Sequence, residues 1–154
     1  MNTNYAGFWL RFVAALIDGI IIGAVTWPVV AILGLGAASS VENMESMDEA
    51  QAMSMAGSMM AMGFAFQFAF FAIQTLYFAL MESSGKQATV GKMVLGLKVT
   101  DINGNKLDFV KALVRNVCKL ISSFILFIGY IMAGFTEKKQ GLHDIIAGTL
   151  VVKK

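Results

Sequence analysis

The sequence predicts an all-α membrane protein: a small multi-helix transmembrane bundle with a short cytoplasmic β element and an interfacial amphipathic helix. Three observations carry that reading. Of 154 residues, 57% are hydrophobic and 14% charged, with a mean hydropathy of +0.70, against about 25% charged in soluble globular chains. Two stretches, 8–36 and 59–81, exceed the ~20 apolar residues that a helix needs to cross the hydrocarbon core. The charges are segregated: 37–58 holds Glu42, Glu45, Asp48 and Glu49 and no Lys or Arg. In contrast, 82–119 sets Lys86, Lys92, Lys98, Lys106, Lys111, Arg115 and Lys119 against Glu82, Asp101 and Asp108.

The length suits one domain, and the net charge of +2 is too small to imply a nucleic-acid partner. One cysteine, Cys118, excludes an internal disulfide, and with His143 as the only histidine the usual zinc ligands are too few. No cofactor is expected.

Residues 1–7 are a short interfacial lead-in. The first span, 8–36, carries Arg11 and Asp18. An ionised group near the bilayer centre costs roughly 3 kcal/mol on insertion scales, so each needs a partner or an escape to the interface. Seven residues apart, the two side chains return to nearly the same helix face, roughly 10 Å apart along the axis. Arg11 can snorkel to the headgroups, but Asp18 is too short. Gly19 and Gly23 form a GxxxG pair suited to close helix packing, within the monomer or at a dimer seam, and Pro28 should bend the helix. A cleaved signal peptide fits poorly, because no Lys or Arg precedes Phe8 and Asp18 interrupts the apolar run.

The connector 37–58 is acidic and rich in methionine. Met44, Met47, Met53 and Met55 have spacings that thioether ligation of Cu(I) would accept, but methionine is also ordinary filler, and a surface helix fits as well. In the second span, Gln67 and Gln74 share a face that should turn from lipid toward Asp18 or Arg11; plain interhelical packing is the duller reading.

The positive-inside rule places the basic segment 82–119, and with it the amino terminus, in the cytoplasm. Within it Leu97 to Thr100 alternates as a strand and Asn103-Gly104 centres a turn. Asp108 should cap a helix from Phe109 to about Lys119. Its Lys111, Arg115 and Lys119 form a basic stripe, fit to lie against anionic headgroups or simply to be solvated. The third apolar stretch, 117–135, is barely long enough to cross and is broken by Gly129 and Gly134. A simple third crossing would place the tail, 136–154, outside; a hairpin turning near Gly129 would instead keep this basic tail in the cytoplasm, where the strand 148–152 can pair with 97–100.

Phe8-Trp9-Leu10-Arg11-Phe12 with Ile17-Asp18, Thr89-Val90-Gly91-Lys92 with Gly96-Leu97-Lys98-Val99, and Gly141-Leu142-His143-Asp144 with Ala147-Gly148-Thr149 stand in the same order as in the RDD family, which this chain resembles. The resemblance implies a multi-helix membrane domain of three predicted spans, proposed to act in transport. It maps the family's arginine and two aspartates onto Arg11, Asp18 and Asp144. Ala88 before the Thr-Val-Gly-Lys run and the methionine-rich outer loop depart from the family's pattern.

Two functions follow. In the first, an intramembrane cluster of Arg11, Asp18 and Asp144, supported by Gln67, Gln74, Lys92 and His143, serves ion- or proton-coupled transport. In the second, the charges lock a non-transporting scaffold or accessory subunit that binds partner membrane proteins. The expected partners are the lipid bilayer, its anionic headgroups at the basic face, and a second copy of the chain. The expected location is the cell membrane, multi-pass. No nucleophile-base pair or phosphate loop suggests an enzyme.

Overall fold

The computed structural model describes residues 4–44, 47–124 and 128–154. Its element order is α1 (Phe8–Met44), α2 (Glu49–Ser83), α3 (Val90–Val94), β1 (Leu97–Asp101), α4 (Phe109–Phe124), α5 (Ile128–Phe135), α6 (Leu142–Ala147) and β2 (Thr149–Lys153). The chain divides into two compact units, Ile20–Ile73 and the remainder.

In the first of these, α1 and α2 run on through most of the acidic stretch expected to be a connector. Polarity does not end a helix; Gly and Pro do, and 37–58 contains only Gly57. Asp48 opens α2, its carboxylate accepting the Gln51 N–H at 2.8 Å. At 35 residues, α2 is about 50 Å long, well beyond a ~30 Å hydrocarbon core. Pro28 lies inside α1, which stays continuous around it. Met53 and Met55 stand two apart on α2, roughly 200° around the helix, with Met53 exposed and Met55 half-buried; the Met44 side chain lies outside the described residues. Gln67 is exposed. A side chain built at Gly23, or at Gly19 in the other unit, meets nothing within 4 Å, so among the described residues no helix packs on the GxxxG pair.

The second unit is built on β2. It pairs antiparallel with β1, Val99 opposite Val151. On its other edge it meets the lead-in: Tyr5 bridges Val152, Ala6 N–H reaches Val151 O at 2.9 Å and Lys153 N–H reaches Asn4 O at 3.0 Å. Residues 4–6 of the expected lead-in therefore lie along the free edge of β2, joined to it by an isolated bridge. Leu97, Val99 and Val151 pack with Ala6, Ala14 and Leu107 into the buried core, each large side chain contributing roughly 1.5–3 kcal/mol. Gly148, at φ +61°, ends α6 in the left-handed conformation and turns the chain directly into β2.

Two helices, Phe8–Gly34 and Glu49–Ser83, are long and apolar enough to cross a membrane; the third expected span is two shorter helices. Asp108 caps α4, accepting the Val110 N–H at 3.1 Å, and α5 folds back on α4, with a Cβ at Gly129 falling 2.6 Å from Ser122 Oγ. Gly129, where the turn is expected, stands in the first turn of α5, and residues 125–127 lie outside the described residues. α4 is inverted relative to a soluble amphipathic helix. Val110, Val114, Val117 and Leu120 face outward, while Ala112, Arg115, Asn116 and Ser122 are buried. The basic stripe expected at the surface is thus broken: Lys111 is exposed and Arg115 is inside.

Gly91 sets how close α3 comes to α1, since a Cβ there would lie 2.1 Å from Ala14 O and 3.0 Å from Asp18 Cγ. Backbone cannot give way as a flexible side chain does. Gly91→Ala is expected to destabilise by about 2 kcal/mol or more, whereas Gly19→Ala, in open space, should stay within about 1 kcal/mol of the parent. Thermal melts in detergent check the pair.

Candidate functional site

Three helix ends and the middle of a fourth helix bring a set of charges together inside the second unit. Arg11 lies in the first turn of α1, Glu82 is one residue from the end of α2, and Asp144 opens α6. Arg115 reaches in from α4. Asp144 is fully buried. Its Oδ2 pairs with Arg11 Nη1 and accepts the Gly141 N–H at 3.2 Å, while its Oδ1 accepts from Arg115 Nε at 2.7 Å. Arg11 Nε donates to Ala6 O at 2.9 Å and Nη2 to Lys139 O at 2.6 Å. Lys139 adopts φ +51°, a conformation costly for a side-chain-bearing residue, and it turns its carbonyl to the guanidinium.

Arg115 bridges to the second carboxylate, donating from Nη1 to Glu82 Oε1 at 2.6 Å. Lys92 Nζ pairs with the same oxygen, Lys119 Nζ stands 3.8 Å from it, and Asn116 Nδ2 donates to Oε2 at 3.0 Å. Taking an ion out of water costs several kcal/mol, which is offset only when its hydrogen-bonding capacity is filled; here the carboxylates are surrounded by donors. Burial alone would raise the Asp144 pKa, but Arg115 and Arg11 outweigh it and hold the carboxyl well below its usual range.

Asp18 is not in this cluster. Buried at 5% exposure, it receives the Thr89 hydroxyl on Oδ2 at 2.6 Å and the Gly91 N–H on Oδ1 at 2.7 Å. Arg11 therefore pairs with one of the two aspartates expected around it. The separation along α1, roughly 10 Å, is the reason: each carboxylate is met by a different part of the fold. Gln74 is half-buried, and the oxygens of Asp18 are taken by Thr89 and Gly91 instead of an amide.

His143 lies between Ser122 and Asp144, with Nδ1 3.3 Å from Ser122 Oγ and Nε2 3.5 Å from Asp144 Oδ1, against the Tyr130 ring at 5.0 Å. A proton on Nε2 faces the carboxylate and leaves Nδ1 to accept from the hydroxyl. The row has the order of a nucleophilic triad, but Ser122 is fully buried beneath Gly129 and Asp144 is committed to two guanidiniums. The arrangement reads as packing.

Glu82, Arg115, Asn116 and Lys119 in the cluster, and Thr89 beside Asp18, are the residues whose roles sequence reasoning missed. The signal for α4 was present: positions 112, 115, 116, 119 and 122 share a helix face opposite Val110, Val114 and Val117. Which face turns inward depends on whether lipid or water lies outside.

The family model described as "RDD family" matches residues 5–148. The chain is 37% identical over 153 residues to the uncharacterized protein YxaI of Bacillus subtilis (strain 168), covering 97% of both chains. It is 33% identical over 160 residues to the uncharacterized membrane protein YteJ of the same organism, covering 96% of this chain and 80% of that one. A shorter likeness, 36% over 69 residues, relates it to the uncharacterized protein RP437 of Rickettsia prowazekii (strain Madrid E), covering 44% and 38%. No solved structure matches.

Two predictions rest on this geometry. Asp144→Asn leaves two buried guanidiniums underpaired and should cost about 3–5 kcal/mol, read as a lower melting midpoint in detergent. Burial, opposed by Asp144, pushes the His143 pKa down to about 3. The unfolded chain then binds a proton below about pH 6.5 that the folded chain refuses. Stability should fall with pH between about 6.5 and 3, with a slope up to about 1.4 kcal/mol per pH unit steeper than that of His143→Gln. Melts from pH 7 to 5 read the difference.

Proposed function

The chain belongs to the RDD family, and from that premise we propose that it is a multi-pass protein of the cell membrane whose Asp18 carboxylate serves ion- or proton-coupled transport. The observation that carries the reading is the environment of Asp18. It lies within the first apolar helix, is buried, and is held by two neutral donors; among the described residues no Lys, Arg or His nitrogen lies within 4.0 Å of it. A buried carboxylate without a counter-charge is costly, and a proton or a small cation supplies what is missing.

The donors distinguish its two oxygens. The Gly91 N–H can only donate, so Oδ1 remains an acceptor. The Thr89 hydroxyl can rotate to donate or accept, so Oδ2 is the oxygen that takes the proton, with Thr89 switching to acceptor. The ionic cluster around Asp144 and Glu82 has the different task of tying the ends of α1 and α2 to α4 and α6.

The amino terminus is assigned to the cytoplasm, on the positive-inside rule and because β1, from the basic segment, and β2, from the basic tail, share one sheet. Two spans make a pathway only when copies associate, so a homo-oligomer belongs to the reading. The exposed apolar residues of α1 and α2, among them Trp9, Ile20, Val25 and Phe68, favour a second reading, a scaffold or accessory subunit that binds other membrane proteins.

In proteoliposomes carrying an imposed pH gradient, the parent chain should dissipate it in the presence of a permeant alkali cation, and Asp18→Asn should slow that flux at least tenfold while keeping the helical circular-dichroism signal. Equal flux in the variant removes Asp18 from the mechanism. No flux in the parent, together with a stoichiometric co-purifying membrane protein, selects the scaffold.

A further inference from the structure

The strands that flank α4, α5 and α6 limit where those helices can go. β1 precedes them, β2 follows them, and the two pair from Leu97 with Lys153 to Asp101 with Thr149. Whatever path the chain takes in between, it leaves one sheet and returns to it on the same side of the bilayer. Length adds a second limit. α4 has 16 residues and α5 has 8, about 24 Å and 12 Å at the helical rise, and neither reaches across a ~30 Å hydrocarbon core.

The side chains of α4 say what surrounds it. Between Ala112 and Leu120 the exposed residues are Val114, Val117 and Leu120, and Val110 continues the stripe one turn earlier. The opposite face buries Arg115 and Asn116. In water the hydrophobic effect would turn this helix the other way.

Its level is set by α2. Asn116 Nδ2 donates to Glu82 Oε2 at 3.0 Å, and the Lys119 ammonium lies 4.9 Å from the centre of the Phe78 ring. α4 therefore lies against the last two turns of a helix long enough to span. The part of α1 in the same unit turns Trp9, Phe12 and Leu16 outward, with Trp9 and Phe12 edge to face, an aromatic pair of the kind that marks a membrane boundary. Hydrocarbon that covers the start of α1 and the end of α2 is at hand for the valine face of α4.

We propose that α4 lies in the bilayer leaflet nearest the sheet, with Val110, Val114, Val117 and Leu120 covered by acyl chains, and that the third apolar stretch enters and leaves this leaflet without crossing. The partner is lipid hydrocarbon, whatever its headgroup. The placement stands whether or not Asp18 carries ions.

The test reconstitutes the full chain in phosphatidylcholine vesicles whose lipid carries a photoactivatable carbene precursor on its acyl chain, and maps the adducts by mass spectrometry. The 110–120 stripe should carry adducts, and the exposed turn at Asn103 to Asn105 should not. In a second measurement, nitroxides on Val114→Cys and Val117→Cys, made with Cys118→Ser, should favour molecular oxygen over an aqueous nickel chelate about tenfold more than a nitroxide on Lys111→Cys. The adducts on the parent chain stand as a readout if these variants do not fold. Absence of adducts on α4, or a nickel chelate that reaches positions 114 and 117 as readily as 111, would overturn the proposal. So would shielding from both probes, which with spin–spin broadening places a second copy on the face. A nitroxide depth at position 117 that reaches the bilayer centre would overturn the single-leaflet path.

Discussion

The carboxylate of Asp144 is the interaction on which the rest of this structure depends. It is buried between two guanidiniums, one from the first turn of α1 and one from the middle of α4, and through Arg115 it is joined to Glu82 at the end of α2. Side chains far apart in sequence are therefore tied at one point. A buried ion pair is weak evidence for stability in itself, because desolvation consumes much of the attraction, but breaking one is expensive. The network's effect is to make a single arrangement of these helix ends far better than any other.

Close packing of small residues makes that arrangement possible. Gly91 lets the backbone of α3 approach Ala14, which brings its N–H to Asp18; Gly129 and Gly141 let the last helices close over Ser122 and His143. Without the approach at Gly91, Asp18 would lose the N–H held by its Oδ1. Polar satisfaction and steric fit are here the same requirement, met by the same residues. The inverted α4 follows from it: once charges fill the interior, the apolar face has to turn outward, which is favourable only where hydrocarbon is nearby.

Much of the fold was legible along the chain. The two long apolar helices follow from composition, the pairing of 97–101 with 149–153 from alternation and the need for both strands on one side, and the start of α4 from Asp108. The helix ends were less so. The acidic stretch after Gly36 is polar without being a helix breaker, and a composition argument mistakes it for a loop. Residues 4–6 are too short and too mixed to announce any pairing; they bridge to β2 because its open edge offers unpaired backbone groups.

The sequence by itself determined the class of the protein, its family, the presence of ionisable groups within apolar helices, and Arg11, Asp18 and Asp144 as the residues to follow, because hydropathy, spacing and motif order are properties of the chain alone. Only the tertiary structure decided who pairs with whom. Arg11 meets Asp144 and not Asp18, Asp18 is held by Thr89 and Gly91, and Glu82 and Arg115 sit at the centre of the charge network. The physical reason is that a charge's partner is selected by distance across the fold, and a carboxylate about 10 Å along the same helix is farther away than one delivered by another element at the end of the chain.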